Sequence, residues 1–306
     1  MRAVAVAVAL TAAVHAQTTP FRSGAEAVRV DVLVTDGNVP IAGLTARDFE
    51  LFDNRVAQQI DAVAIEDLPV SMMLALDTSY SVRGGALEDL KDAATAALGV
   101  LEDQDRVALM TFSHAIDVRA HWTSDKQRVG RAIAGLAAGG GTALWDGAYA
   151  ALTLRDDHSG RRSLVLFFSD GDDTASWLPH GSVLDRARRT DAVVYGITTG
   201  RNRVPSRALA YRSGLELTRE EGSLLDPLLP RLADLTGGQS LRAASTGRLT
   251  GAFTRIVREF RTRYLLTYTP RDVSTSGWHT IEVKLKQRRG QVRARLGYLR
   301  DPETRK

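Results

Sequence analysis

The sequence predicts an α/β fold: a doubly wound, mostly parallel sheet flanked by helices, plus a small all-β domain built from the N- and C-terminal segments. Three observations carry this expectation. From Ser71 to about Arg261, short apolar runs alternate with amphipathic stretches, the rhythm of strand and crossover helix. The runs SMMLAL (71–76) and SLVLFF (163–168) are apolar without alternation, as strands buried on both faces are. Outside this region both ends alternate by two, which marks strands with one wet face.

Taken in order, Met1 and Arg2 precede AVAVAVALTAAV, so residues 1–16 read as an export signal with cleavage before Gln17, and residues 17–24 as a flexible leader. Residues 25–68 form an N-terminal β segment, in which VRVDVLV alternates, DGN marks a turn, and FELF and QQIDAVAI continue as short strands. Residues 69–262 form the α/β domain. Here ALEDLKDAATAALGVL, KQRVGRAIAGLA, ALWDGAYAALTL, VLDRARRTDA, LLPRLADLTGG and TGRLTGAFTRIVREFRTRY have helical spacing, while RVALMTF, VVYGITT and a short run near Leu241 are strands. The pair Gly237-Gly238 marks a helix end, and Arg201–Gly222 reads as a surface excursion. Residues 263–300 return to β patterning and residues 301–306 form a tail. Neither end alone has enough strands for stability, so the two are expected to pack together, with the α/β domain inserted between them.

Composition bounds the function. The 306 residues are 44% hydrophobic and 25% charged, with a net charge of +4 spread among nearly as many acids as bases, which argues against nucleic acid as a partner. The densest basic stretch, KLKQRRGQVRARLGYLR, alternates from Val283 to Leu299 as a hairpin with one solvated face. There is no cysteine, so no disulfide, no lipoprotein anchor and no thiolate metal site. After the signal, no apolar segment approaches the ~20 residues that span a bilayer. The protein is expected to be exported, periplasmic or secreted. Trp122, Trp145, Trp177 and Trp278 read as core or rim anchors, and His121, His158 and His180 lack metal-like spacing.

The chemistry gathers at three loops. Asp77, Ser79 and Ser81 follow the first buried run, Thr142 follows the glycines 139–141, and Asp170 follows the second buried run. Ligands in such folds bind at the carboxyl ends of the strands. In Asp-x-Ser-x-Ser every second side chain points the same way, so one loop could offer three oxygens. Carboxylates and hydroxyls are hard donors that suit Mg²⁺ or Mn²⁺, with Ca²⁺ also possible, rather than Zn²⁺. Two central strands each ending in aspartate also call for a compensating cation or hydrogen bonds. The glycine run lacks the Gly-Lys-Ser/Thr ending of a phosphate loop, and neither G-x-G-x-x-G at a strand-to-helix turn nor G-x-S-x-G is present.

The set DTSYS, GGT and SDG, in this order and separated by helical segments, resembles the von Willebrand factor type A domain with its metal-ion-dependent adhesion site. That resemblance implies one Mg²⁺ held by Asp77, Ser79, Ser81, Thr142 and Asp170. Tyr80 stands where many members of the family carry glycine. The flanks VRVDVLV, DFELF and RARLGY are similar to those of bacterial von Willebrand factor A-related proteins.

The resemblance implies an adhesion mechanism. The Ser79 and Ser81 hydroxyls would bind the ion, Thr142 would bind directly or through water, and Asp77 and Asp170 would neutralise it. A protein partner's Asp or Glu carboxylate would take the last coordination position. No nucleophile with a partnered base stands in these motifs, so no enzymatic activity is expected. The competing classes are a structural or envelope-assembly module whose metal loop is mainly stabilising, and a Mg²⁺-dependent hydrolase. Asp172 and Asp173 are read as local negative charge or as caps of the following turn.

Overall fold

In the computed structural model, residues 27–37, 39–65, 68–158, 160–169, 173–199 and 228–300 are described. The export signal, the leader, the Arg201–Gly222 segment, Asp170 and the tail all lie outside the described residues. Among the described residues no helix is long and apolar enough to cross a membrane.

The two unbroken apolar runs sit side by side in a six-stranded sheet. Its strands are β6 (Val70–Asp77), β7 (Arg106–Phe112), β8 (Ile116–Thr123), β9 (Arg162–Ser169), β10 (Val193–Thr199) and β11 (Gln239–Ala243), in the order β11-β10-β9-β6-β7-β8. All pairings are parallel except β7 with β8. Every residue of β6 is buried. Alternate side chains of β6 therefore feed two cores: Met72, Leu74 and Leu76 one, Met73 and Ala75 the other.

The first core is closed by α1 (Gly85–Gly99), α2 (Lys126–Ala134) and α6 (Leu249–Arg261). The second is closed by α3 (Leu144–Thr153), α4 (His180–Arg188) and α5 (Leu228–Thr236). Helix α1 shows why the pattern works, since its buried Leu87, Leu90, Ala94 and Leu98 fall on one stripe. Helix α5 ends at Thr236, where Gly237 takes φ +79° and the Gly238 N–H closes on the Ala233 carbonyl at 2.8 Å, as the glycine pair predicts.

The sequence reading passed over β8, because IDVRAHWT carries Asp117, Arg119 and His121 on an exposed face and lacks a clean apolar run. It is the antiparallel edge strand of a mixed sheet, where charge is tolerated and protects the edge.

The remaining strands pair across the two chain ends. β1 (Val28–Asp36), β2 (Val39–Pro40), β5 (Ala62–Ala64), β12 (Tyr264–Tyr268) and β14 (Gln291–Arg293) form one sheet, with β1 beside both β12 and β14. β3 (Phe49–Asp53), β4 (Val56–Gln58), β13 (Gly277–Leu285) and β15 (Gly297–Arg300) form another. Val30, Val32, Phe49, Leu51, Tyr264 and Leu266 share the core between them.

The Val283–Leu299 stretch is not a plain hairpin. Val283 to Leu285 pair with β3, β14 crosses to β1, and β15 returns to the start of β13. Alternation gave the wet face correctly, with Lys284 and Lys286 exposed, but strand partners depend on tertiary contacts that alternation does not encode.

Asp53 lies at the centre of this β core, fully buried. It accepts from the Tyr268 hydroxyl (2.8 Å) and the Tyr298 hydroxyl (2.9 Å) and faces His279 Nδ1 at 2.8 Å. Burial, and then the neighbouring phenol and Asp53, push the Tyr268 phenol well above its ordinary value. Burial acts first on Tyr298 and Tyr195 too, with Asp53 and Glu259 respectively adding to the rise. The sign follows from linkage: a phenol whose folded value is raised contributes stability that is present below about pH 10 and is lost as pH climbs through the folded value. Urea midpoints should therefore hold from pH 7 to 9 and fall above about pH 10. Tyr298→Phe should make that fall shallower, and a flat profile to pH 11 would refute the assignment.

Candidate metal centre

Parallel pairing brings the carboxyl ends of β6, β7 and β9 to one edge, since Asp77 lies level with Phe112, and Leu76 with Phe168. The residue after Phe168 is Ser169, whose hydroxyl donates to Asp77 Oδ2 at 2.8 Å. The Ser79 N–H donates to Asp77 Oδ1 at 2.8 Å. Asp77 is 0% exposed and Ser79 1%, and Ser81 is half-buried. The Ser79 and Ser81 hydroxyl oxygens converge to 2.9 Å, so the alternation of the motif puts these oxygens together.

The 139–142 loop is hydrogen-bonded to this turn. The Gly139 N–H donates to the Thr78 carbonyl at 2.8 Å and the Tyr80 N–H to the Gly140 carbonyl at 2.9 Å. Gly140 adopts φ +79°, a conformation that favours glycine, and a Cβ there would fall 1.9 Å from Nδ1 of the exposed His114 ring, which would have to turn aside. Thr142, 5% exposed, follows two residues later. Its N–H donates to Thr174 Oγ1 (2.9 Å), and its carbonyl accepts from the Thr174 (2.8 Å) and Ala175 (3.0 Å) N–H groups. Thus Asp77, Ser79 and Ser81 are gathered in one turn, with Thr142 on the loop beside it. Asp170 lies outside the described residues.

Sequence reasoning missed the fastening of the 173–178 loop. Asp173 Oδ1 accepts from the Leu144 N–H at 2.8 Å and from Ser176 Oγ at 2.5 Å, while Ser176 Oγ accepts from the Trp145 N–H at 3.0 Å. In return, Asp146 accepts from the Trp177 and Leu178 N–H groups, both at 2.9 Å. Asp173 therefore caps α3, a helix that starts 29 residues earlier, as well as holding Ser176 in the turn that follows it. The legible part of this signal was only an acidic residue in the first turn of α3. Asp173→Ala should cost about 1 kcal/mol, up to ~2, in urea unfolding, the loss expected for a helix cap. A change below ~0.3 kcal/mol would show that the clamp is not a cap in energetic terms.

Trp145 and Trp122 pack against the second core as expected, and Trp278 sits at a rim under Arg188. Trp177 does not: it is 92% exposed. Its backbone N–H is held by Asp146. Of the described histidines, His114 packs on Gly140 of the glycine loop and His180 on Trp145. Among the described residues no three carboxylate or imidazole groups converge on a metal position. Of the four described candidate ligands, Ser79, Ser81 and Thr142 offer hydroxyls and Asp77 a carboxylate.

Comparison with known proteins agrees with this architecture. Residues 72–172 match the von Willebrand factor type A domain family. The Synechocystis sp. protein sll0103 is 35% identical over 82 residues, which cover 26% of this chain and 20% of that protein, so the match spans about a fifth of the relative's length. The structure of a von Willebrand factor type A protein from Catenulispora acidiphila superposes with a TM-score of 0.53 at 12% identity, covering 89% of this chain and 77% of that one. Proximal thread matrix protein 1 from the mussel byssus, solved with a zinc-occupied MIDAS motif, gives 0.52 at 15% identity, covering 67% of this chain and 48% of that one. With β6, β7 and β9 aligned at the motif-bearing edge, this chain carries a von Willebrand factor type A domain.

Proposed function

We propose that this chain is an exported binding protein that holds a protein partner through a divalent ion, Mg²⁺, at a site made by Asp77, Ser79, Ser81, Thr142 and Asp170. The single observation that carries the reading is the convergence of the Ser79 and Ser81 hydroxyls at 2.9 Å beside a fully buried Asp77. Oxygens at neighbouring corners of an octahedron with the Mg–O length of about 2.1 Å are roughly 3 Å apart, so the pair suits two adjacent ligand positions. Tetrahedral Zn²⁺ at a similar bond length would spread its oxygens to about 3.4 Å. A 2.9 Å separation is also that of a hydroxyl hydrogen bond, which is what the pair makes without an ion.

Asp77 spends one oxygen on the Ser79 N–H and the other on Ser169. It therefore suits a role as a fixed negative charge behind the ligands and as the anchor of the turn. An ion held largely by neutral hydroxyls keeps its electrophilicity, and an Asp or Glu carboxylate from outside would complete its coordination. The mussel protein carries zinc at its own motif. In this chain the donors are oxygens without thiolate, which favours the harder ion.

The chain ends support a second part of the reading. Strands before and after the α/β region pair with each other, β1 with β12 and β3 with β13, around a core of their own. We take residues 25–68 and 263–300 to be a small all-β domain and residues 69–262 the metal-site domain inserted in it.

The test is calorimetric titration of Mg²⁺ and Mn²⁺ into the protein. Ser81→Ala, which removes a half-buried hydroxyl and little else, should weaken binding about tenfold with the unfolding midpoint nearly unchanged. Unaltered affinity in Ser81→Ala, or no binding by the parent protein, would sink the metal reading.

A further inference from the structure

Among the described residues six large hydrophobic side chains remain exposed, and three of them, Tyr80, Ile116 and Trp177, lie in or next to the loops at the carboxyl edge of the six-stranded sheet. Tyr80 is tied through its N–H to Gly140, and Thr174 and Ala175 are tied to the carbonyl of Thr142, so the Tyr80 turn and the Trp177 loop flank the same short glycine loop. Ile116 opens β8 opposite Phe112, and Ser113 in that turn accepts the Ala143 N–H at 2.7 Å. These three exposed apolar groups thus flank the candidate metal loops, while Val39, Trp278 and Leu296 lie on or beside the strands of the chain ends.

Trp177 is held out rather than left loose. Its N–H and that of Leu178 are bound by Asp146, and Asp173 and Ser176 pin the loop to the start of α3. An indole at 92% exposure is unfavourable in water unless something covers it, and with its backbone already held only the side-chain torsions are ordered when that happens. Trp, Tyr and Arg are also the residues that most often dominate binding energy at interfaces. Charge narrows the partner further. The Arg83 guanidinium lies 4.5 Å over the Tyr80 ring, is exposed, and has no ion-pair or hydrogen-bond partner among the described residues.

We propose that Tyr80, Ile116 and Trp177, with the Arg83 guanidinium, form a rim that docks an acidic peptide segment of a protein partner, one carrying an aromatic residue close to its carboxylates. The proposal rests on the metal reading for the carboxylate that binds the ion, and adds what else that segment must contain. The aromatic residue packs on Trp177 and Tyr80, and a second carboxylate meets Arg83 in a charge-assisted contact. Ile116 contributes an aliphatic contact, which suits a peptide side chain better than a sugar face.

The test uses the full chain and defined polymers: a Glu/Tyr copolymer, polyglutamate of matched length, and polygalacturonate as an acidic glycan, each titrated with Mn²⁺ and with EDTA. The Glu/Tyr copolymer should bind about tenfold more tightly than polyglutamate, and Trp177→Ala or Tyr80→Ala should each remove roughly that advantage. Arg83→Gln should flatten the salt dependence of binding to both peptide polymers. All of these side chains are exposed, so the variants should fold as the parent does. Equal affinity for the two peptide polymers, no binding of the copolymer up to ~1 mM, or unchanged affinity in both aromatic variants overturns the proposal. So does polygalacturonate binding that is tighter than the copolymer's and sensitive to Trp177→Ala, which would make the rim a glycan site. Copolymer binding that persists in EDTA yet falls in Trp177→Ala supports the rim and removes the metal reading. Mn²⁺-dependent binding indifferent to both aromatic variants does the reverse.

Discussion

Asp77→Ala should lower Mg²⁺ and Mn²⁺ affinity by 10- to 100-fold or more, the cost typical of losing a group that orients and charges a metal site. The carboxylate is fully buried at the end of a central strand and holds the Ser79 N–H and the Ser169 hydroxyl. Alanine removes the charge and strands both donors, each at a cost of about 1–3 kcal/mol where water cannot reach them. Asp77→Asn separates the effects: it keeps acceptor and donor capacity near both partners but lacks the charge. Affinity should fall in both variants and stability chiefly in the alanine. Calorimetric titration with Mn²⁺ alongside urea unfolding measures both, and parent-like affinity in Asp77→Asn would show that the carboxylate's charge plays no part in holding the ion.

The largest stability effect is expected at the joint between the strands of the chain ends and the six-stranded sheet. Arg162 at the start of β9 is 2% exposed, and its Nε donates to Asp31 Oδ1 on β1 at 2.9 Å while its other nitrogen closes a second contact to the same oxygen. The guanidinium also lies 4.6 Å over the Phe260 ring of α6. Beside it the fully buried Arg263 donates to the Asp31 carbonyl (3.2 Å), the Gly237 carbonyl (2.6 Å) and Tyr195 (3.1 Å). Asp31→Ala leaves Arg162 buried without its counter-charge, and such broken pairs cost about 3–5 kcal/mol. Replacing Arg162 and Asp31 together by apolar residues should cost much less, because neither charge is then stranded. A loss under ~1 kcal/mol in Asp31→Ala would mean that water reaches the joint and that it does not hold the sheets together.

How far the chain can be read without its structure follows from the range of each interaction. The run SMMLAL, the stripe of α1 and the glycine pair after α5 are local signals, set by periodicity and backbone freedom within a few residues, and they appear where the sequence places them. The strand β8 was not legible, because an edge strand has no need of an apolar run. The role of Asp173 was not legible either. Its sequence neighbours offer a turn to cap, whereas the helix it caps begins 29 residues earlier and arrives only through the parallel crossover.

The sequence by itself determined the candidate oxygen donors and their order along the chain, because Asp-x-Ser-x-Ser, the distal Thr142 and the distal Asp170 are written in residue type and spacing. It also determined the alternation that a doubly wound sheet requires. Tertiary structure alone decided which strand ends share an edge, which oxygens of Asp77 are already engaged, where the Val283–Leu299 strands find partners, and that Trp177 stands in solvent while Trp122 and Trp145 pack. The physical reason is the same in each case. Periodicity and turn chemistry act between near neighbours, whereas pairing, burial and hydrogen-bond satisfaction are settled between residues that only folding brings together.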